Sequence, residues 1–124
     1  MVTPTEPLAA PPAHEVILKV KDLSISYDGK TALSGVNFEV RRNEIFGIIG
    51  PANSGKTSFL RALNRMDEFQ HRMRVEGQIT FAGRDISSIR NLYALRRMIG
   101  VVFPLPVGLP LSIYDNVALA PRLA

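Results

Sequence analysis

The chain has 124 residues, of which 46% are hydrophobic and 21% are charged, a composition that is typical of a globular domain and excludes a disordered chain. Its formal net charge is +4, but no run of basic residues is dense enough to predict a nucleic-acid surface by itself. It contains no cysteine, which excludes disulfides, thiolate metal sites and a cysteine nucleophile.

The first segment, residues 1–14, contains Pro4, Pro7, Pro11 and Pro12 among small residues. Proline lacks a backbone N–H, so this segment predicts a disordered leader, followed by one domain, or part of one, over residues 15–124. No apolar stretch approaches the roughly 20 residues that cross a bilayer, and no secretory signal is recognisable. We therefore expect a cytoplasmic chain.

Apolar and polar residues alternate along two segments after Glu15, which predicts two half-buried strands. The Asp28-Gly29 pair between them is a hairpin signal, so the domain should begin with antiparallel β structure. The alternating residues are Val16, Leu18, Val20, Leu23, Ile25 and Tyr27 in the first segment, and Val36, Phe38 and Val40 in the second.

A short apolar run at residues 45–49 predicts a central strand covered on both faces. Apolar residues then recur at helical spacing after Lys56, which predicts a helix to about Arg65. Residues 78–81 predict a further strand that ends at the Ala82-Gly83 turn.

The last third of the chain predicts a short amphipathic helix between Ile89 and Met98 and a buried strand at residues 100–103. Residues 104–110 contain three prolines and should lack regular structure. Ser112 followed by Asp115 resembles a capping box and predicts the start of another helix.

Residues 50–57 read Gly-Pro-Ala-Asn-Ser-Gly-Lys-Thr and match the Walker A pattern G-x-x-x-x-G-K-[ST]. Such a loop wraps phosphate oxygens with backbone N–H groups, neutralises them with lysine and holds Mg²⁺ with threonine. Because the loop follows an apolar segment and precedes a predicted helix, we expect it to bind a nucleoside triphosphate, with MgATP as the ligand. The predicted nucleotide-binding residues are Tyr27, Gly50, Pro51, Ala52, Asn53, Ser54, Gly55, Lys56, Thr57 and Ser58.

Tyr27 ends the first predicted strand, where its ring is suited either to stacking on a base or to packing on the core. His14 and His71 have no partner at metal-ligand or catalytic spacing and should be solvated.

Four of the chain's 11 acidic residues are candidates for a role outside the loop. Adjacent helical residues do not face each other, so Asp67 and Glu68 are a poor acid–base pair and should be solvated. Asp85 and Asp115 each follow a turn signal and should cap local backbone.

Seven segments, in this order, resemble those of the ATP-binding subunits of ABC transporters, and more closely those of bacterial phosphate importers. The resemblance covers the chain from about Val16 to its end. The segments are Leu23-Ser24-Ile25-Ser26-Tyr27, residues 50–58, Leu63-Asn64-Arg65-Met66, Arg74-Val75-Glu76-Gly77, Leu95-Arg96-Arg97, Gly100-Val101-Val102-Phe103 and Ser112-Ile113-Tyr114-Asp115-Asn116-Val117-Ala118.

The resemblance implies an α/β fold, a P-loop NTPase of ABC type with an antiparallel β subdomain and the start of a parallel RecA-like core, here truncated. It also implies an ATPase that drives phosphate import. Its partners would be transmembrane permease subunits and a second ATP-binding subunit, at the inner face of the cell membrane. Within the site it implies Tyr27 against adenine, Lys56 on the β- and γ-phosphates and Thr57 on Mg²⁺.

Three departures from the family pattern bear on this expectation. Asn53 stands where the family usually has glycine, but asparagine tolerates a left-handed backbone. Pro104 replaces the glutamine of the Q-loop and cannot bind magnesium or orient water. The chain also ends before the signature, Walker B and switch-histidine segments, so no catalytic residue is expected in it, and we expect nucleotide binding without hydrolysis.

Two other functions are compatible with the same residues. One is a non-catalytic nucleotide-binding or permease-binding module, which Pro104 favours. The other is a nucleic-acid-associated P-loop protein, against which the lack of an aromatic and basic stacking platform argues.

Overall fold

The structure is a computed structural model that describes residues 15–123, which form two compact units divided between Arg90 and Asn91. The predicted leader, residues 1–14, lies outside the described residues. Within the described range, none of the helices has the length and apolar character that crossing a membrane requires.

The first unit is built on an antiparallel sheet of four strands in the order β2-β1-β3-β4. The predicted hairpin between β1 and β2 is confirmed: Asp28 and Gly29 both have positive φ, at 47° and 81°, as a two-residue hairpin turn requires. The strands are β1 (Val16–Tyr27), β2 (Lys30–Arg41), β3 (Met73–Phe81) and β4 (Arg84–Asp85).

A bulge in β1 keeps its apolar residues on one face. The apolar positions are even-numbered up to Val20 and odd-numbered from Leu23, a change that would turn them to opposite faces of a regular strand. The register on both neighbouring strands shifts at this point, and Asp22 has a φ of 48°. Val20 and Leu23 are consequently both buried.

The helix α1 (Lys56–Leu63) packs on the sheet through Phe59 and Ala62, which are buried. The Phe59 ring meets the Phe38 ring of β2 edge-on at a centroid distance of 5.3 Å. The helix was expected to run to about Arg65 but ends earlier, because Arg65 adopts a left-handed φ of 56° that α-helix cannot continue. A 3₁₀ turn at Met66–Phe69 follows, and a second one, Ile86–Ser88, follows β4.

The predicted strand at residues 45–49 is wrong. Phe46 stacks on Phe38 at 4.9 Å, but Ile45 and Ile49 are 100% and 98% exposed. A central strand needs hydrogen-bonded neighbours, and no described strand pairs with this segment. The apolar run therefore stays irregular.

The second unit contains α2 (Leu92–Met98) and α3 (Ile113–Leu123). The predicted strand at residues 100–103 is wrong for the same reason as the first, since it has no strand partner in the described part of the chain. The antiparallel sheet with helices is thus observed, whereas the parallel RecA-like core remains a prediction. Residues 104–110 lack helix and strand, as their prolines predicted.

Both helices of this unit have side-chain caps. Asn91 Oδ1 accepts a hydrogen bond from the Ala94 N–H of α2 at 3.2 Å. Ser112 Oγ accepts one from the Asp115 N–H at 3.0 Å, which confirms the predicted start of α3. The Asn116 side chain bonds the backbone of Leu109 in both directions and so fixes the preceding loop on α3.

Candidate phosphate-binding site

Gly55 lies where the loop becomes helix α1. It has a φ of 95°, in the left-handed region that favours glycine. A Cβ at this position would lie 2.5 Å from Leu33 Cδ2 and 2.7 Å from the Ala32 carbonyl oxygen. Strand β2 therefore supports the loop so closely that only glycine fits, as the motif predicted.

At the other end of the loop, Gly50 is less strictly required than Gly55, because its nearest neighbours are side-chain atoms that can move. A Cβ on Gly50 would lie 2.8 Å from Ser54 Oγ. Between them, Asn53 has a φ of 62°. Asparagine is one of the few non-glycine residues that adopt this conformation readily, so the departure from the family pattern is compatible with the observed loop.

The start of α1 is suited to an anion. Gly55, at the N-cap position, provides no side-chain hydrogen bond, and the first turn of this described helix has no acidic residue. The first N–H groups of a helix have no partner within it and carry the positive end of its dipole. Thr57 lies exposed in this turn. A phosphate at this position would complete the hydrogen bonding of the helix end.

The Lys56 ammonium lies over the loop. It donates hydrogen bonds to the Gly50 carbonyl oxygen, to the Pro51 carbonyl oxygen at 2.7 Å and to Ser54 Oγ at 3.1 Å. These acceptors are neutral, and a charged phosphate oxygen is a stronger acceptor than any of them. The ammonium can therefore exchange a carbonyl partner for a phosphate oxygen without leaving the loop.

A groove of about 660 Å³ opens on one side of the loop and α1. Three cationic side chains line it, Lys30, Lys56 and Arg61, and no acidic residue of the described chain does. Its volume lies within the roughly 300–1,000 Å³ that is usual for small-molecule sites. A second, apolar cavity of about 470 Å³ lies between the loop and strand β2 and includes Phe38 and Phe59 in its wall.

Tyr27 ends β1 and lines the groove with a half-buried ring. Its hydroxyl donates a hydrogen bond to Ser58 Oγ in the first turn of α1 at 3.0 Å. The structure thus brings Tyr27 beside the loop, 31 positions away in sequence. Sequence reasoning selected both residues but did not predict the contact between them.

The remaining candidates lie away from the groove. Asp67 and Glu68 were expected to be solvated, but both flank the Arg65 guanidinium, Asp67 at 3.7 Å. His71 is exposed, as expected. Pro104 lies exposed in the irregular part of the second unit.

The two predicted caps have different outcomes. Asp85 Oδ1 accepts from the Ser87 N–H at 2.9 Å, so its capping role is confirmed. Hydrogen bonding from the Ser87 hydroxyl holds the pKa of Asp85 below its ordinary value. The prediction for Asp115 is wrong, because its carboxylate bonds the Arg122 side chain at 3.1 Å and its own backbone N–H is the capped group.

Residues 33–119 match the family model described as ABC transporter. The chain belongs to the ABC transporter family. The matched range includes the whole loop, α1, β3 and α2. Tyr27 precedes the range, so its assignment to the site rests on the groove and on the Ser58 hydrogen bond.

Three curated relatives are similar over most of this chain, and all are named phosphate import ATP-binding proteins. PstB 5 of Trichormus variabilis is 43% identical over 108 residues, which are 86% of this chain and 42% of that protein. PstB 2 of Lactobacillus acidophilus is 40% identical, over 89% of this chain and 44% of the relative. PstB of Borrelia garinii subsp. bavariensis is 37% identical, over 90% and 44%. The chain spans less than half the length of these relatives.

Proposed function

We propose that this chain binds MgATP in the cation-lined groove at the start of α1. One observation carries the proposal: a glycine that no other residue could replace ends the loop at a helix N-terminus without a side-chain cap. Lys56 stands over this point, and two further cations line the groove. This combination favours a ligand with several negative charges on adjacent phosphates.

Each loop residue has a role in this proposal. The N–H groups of the loop and of the first turn of α1 bind phosphate oxygens, and Lys56 neutralises the β- and γ-phosphates. The hydroxyl of Thr57, exposed in that turn, would hold Mg²⁺, which would neutralise further phosphate charge when bound. Tyr27 lines the same groove and presents its ring to the adenine base.

The names of the relatives support a wider role. We infer that the chain is part of the ATP-binding subunit of an importer of inorganic phosphate, with ATP hydrolysis coupled to transport. Its partners would be transmembrane permease subunits and a second ATP-binding subunit. It would then act at the inner face of the cell membrane as a peripheral protein.

The described residues favour binding over turnover. The groove and the adjacent apolar cavity contain no aspartate, glutamate or histidine among the described residues that line them. A water molecule beside the γ-phosphate would have no base to receive its proton. We therefore expect the 124-residue chain to bind MgATP without releasing phosphate.

The test is a titration of the purified chain with a fluorescent ATP analogue, with and without Mg²⁺, while phosphate release is recorded in the same samples. Lys56→Ala should weaken binding at least tenfold, because it removes a charge-assisted contact to the phosphates. Lys21→Ala is the matched control, since Lys21 is exposed on β1 and does not line the groove. Equal affinities of the Lys56→Ala variant and the unaltered chain would refute the proposed loop.

A further inference from the structure

A hydrogen bond between Tyr27 and Ser58 joins the end of β1 to the first turn of α1 within the groove. Tyr27 is the last residue of β1, and Ser58 is in the first turn of α1. Their oxygens are 3.0 Å apart, and the bond is partly buried. A bond of this kind limits both the rotation of the tyrosine ring and the rotamer of the serine.

The direction of the bond matters for what Ser58 can do. Each of the two hydroxyls can donate or accept, but the phenol is the more acidic one, so we assign it as the donor and Ser58 Oγ as the acceptor on that side. A serine hydroxyl has one proton, which must then point away from the tyrosine. Ser58 lines the groove, and accepting a hydrogen bond strengthens a hydroxyl as a donor.

We propose that the Tyr27 hydroxyl is a positioning group that orients the Ser58 hydroxyl to donate to a phosphate oxygen of the bound nucleotide. This inference rests on the proposed function. It separates two roles of one side chain: the ring of Tyr27 faces the base, whereas its hydroxyl acts on the phosphates through Ser58. Loss of the hydroxyl alone should therefore weaken phosphate binding although no atom that faces the base has changed.

Two ligands distinguish these roles. MgATP uses both the ring and the hydroxyl, whereas magnesium tripolyphosphate has no base and can use the hydroxyl only. Tyr27→Phe should weaken the binding of both ligands by a similar factor, about 3- to 10-fold, the range expected for one hydrogen bond. Tyr27→Ala should weaken MgATP further than tripolyphosphate, because it also removes the ring.

A double-mutant cycle tests the route through Ser58. Ser58→Ala should weaken both ligands at least as much as Tyr27→Phe. The double variant should be no weaker than Ser58→Ala alone, because the tyrosine hydroxyl would have nothing left to orient. Ser58→Thr keeps a hydroxyl and should restore most of the affinity.

The matched control is Tyr93→Phe, since Tyr93 is an exposed tyrosine of α2 outside the groove. Thermal melting of every variant gives a second readout, in which Tyr27→Phe and Ser58→Ala should also be non-additive.

Three results would overturn the proposal, and they are distinct. If the unaltered chain binds neither ligand, the proposed function fails and the positioning role fails with it. If the unaltered chain binds both ligands and Tyr27→Phe leaves both affinities unchanged, the proposed function stands and the hydroxyl has no positioning role. If the losses of the two single variants simply add, Tyr27 acts independently of Ser58.

Discussion

Gly55 shows at the scale of one residue how the sheet determines the shape of the loop. Its left-handed φ alone would cost alanine about 1 kcal/mol. The added methyl would also meet Leu33 at 2.5 Å and a β2 carbonyl oxygen at 2.7 Å, which requires the loop and strand to separate. Gly55→Ala should therefore weaken nucleotide binding by more than tenfold and lower the melting temperature, as measured by analogue titration and thermal melting.

Gly83→Ala is the control for that variant. Gly83 has a similar φ of 79° but open space at the position of the Cβ. Gly83→Ala therefore has the conformational cost of a left-handed alanine but no steric clash, and Gly83 lies outside the groove. If Gly55→Ala and Gly83→Ala lower the melting temperature equally and both variants still bind nucleotide, the contact between β2 and the loop is not the reason that position 55 requires glycine.

Asp85 makes part of the stability depend on pH. The Ser87 hydroxyl donates to its carboxylate at 2.7 Å and is the main cause of the lowered pKa, which partial desolvation opposes. A folded-state pKa below the unfolded value stabilises the protein above about pH 4, and this contribution is lost as the pH falls through the folded-state pKa. The Asp85→Asn variant lacks this titration.

Melting temperatures from pH 7 to pH 2.5 provide the measurement. The difference between the unaltered chain and Asp85→Asn should be constant above pH 5 and should shrink below about pH 4. Ser87→Ala removes the main cause of the lowered pKa of Asp85. The melting-temperature difference between Ser87→Ala and the double variant Ser87→Ala/Asp85→Asn should therefore change less with pH. A difference that grew on acidification would contradict the assigned direction.

At the scale of elements, the bulge of β1 depends on Gly77 of the neighbouring strand. Gly77 has a φ of 96°, and a Cβ there would lie 2.3 Å from the Asp22 carbonyl oxygen. Backbone atoms cannot move aside as a flexible side chain can. Gly77→Ala should consequently destabilise the first unit by about 2 kcal/mol or more, measured by denaturant unfolding.

Gly35→Ala in β2 is the comparison for this element. Its φ is 58°, but nothing lies within 4 Å of the added methyl. We expect a loss of only about 1 kcal/mol, the conformational part. Equal losses at Gly77 and Gly35 would show that the bulge tolerates the methyl.

The elements that the sequence predicted well are those whose signals are local. The Asp28-Gly29 pair determines the hairpin, and the Ser112 side chain starts α3, each within a few residues. The alternation pattern did not predict the bulge, because a period of two treats the apolar positions before and after the change from even to odd as one regular strand. Residues 45–49 were predicted as a strand because an apolar run indicates burial, but it does not specify a hydrogen-bonded neighbour.

The candidate site also combines features that depend on residues close in sequence with features that depend on residues far apart. The Walker A pattern predicts a phosphate-binding role for the loop, its glycines and Lys56, and the geometry on which that prediction rests involves residues that are close in sequence. The Tyr27–Ser58 bond and the close approach of β2 to Gly55 join residues that are distant in sequence. Only the packed sheet and helix bring them together, so no spacing rule predicts them.

At the scale of the whole chain, the surface combines a net charge of +4 with exposed apolar segments in each unit. In the first unit, Ile45 and Ile49 are almost fully exposed, and β2 is an edge strand of its sheet. In the second, Val102 and Val107 are similarly exposed. Apolar side chains beside an unpaired strand edge favour association between copies of a chain, and moderate net charge opposes it only weakly at physiological salt.

The 124-residue chain should therefore associate as its concentration rises, through residues 45–49 among others. Replacing both Ile45 and Ile49 with lysine removes the two most exposed apolar side chains of that segment and should shift association to a several-fold higher concentration. Light scattering coupled to size exclusion measures this. The double variant His71→Lys and Glu76→Gln raises the net charge by the same two units at exposed positions outside β2 and residues 45–49. If that control suppresses association equally, charge repulsion rather than the loss of apolar surface is responsible.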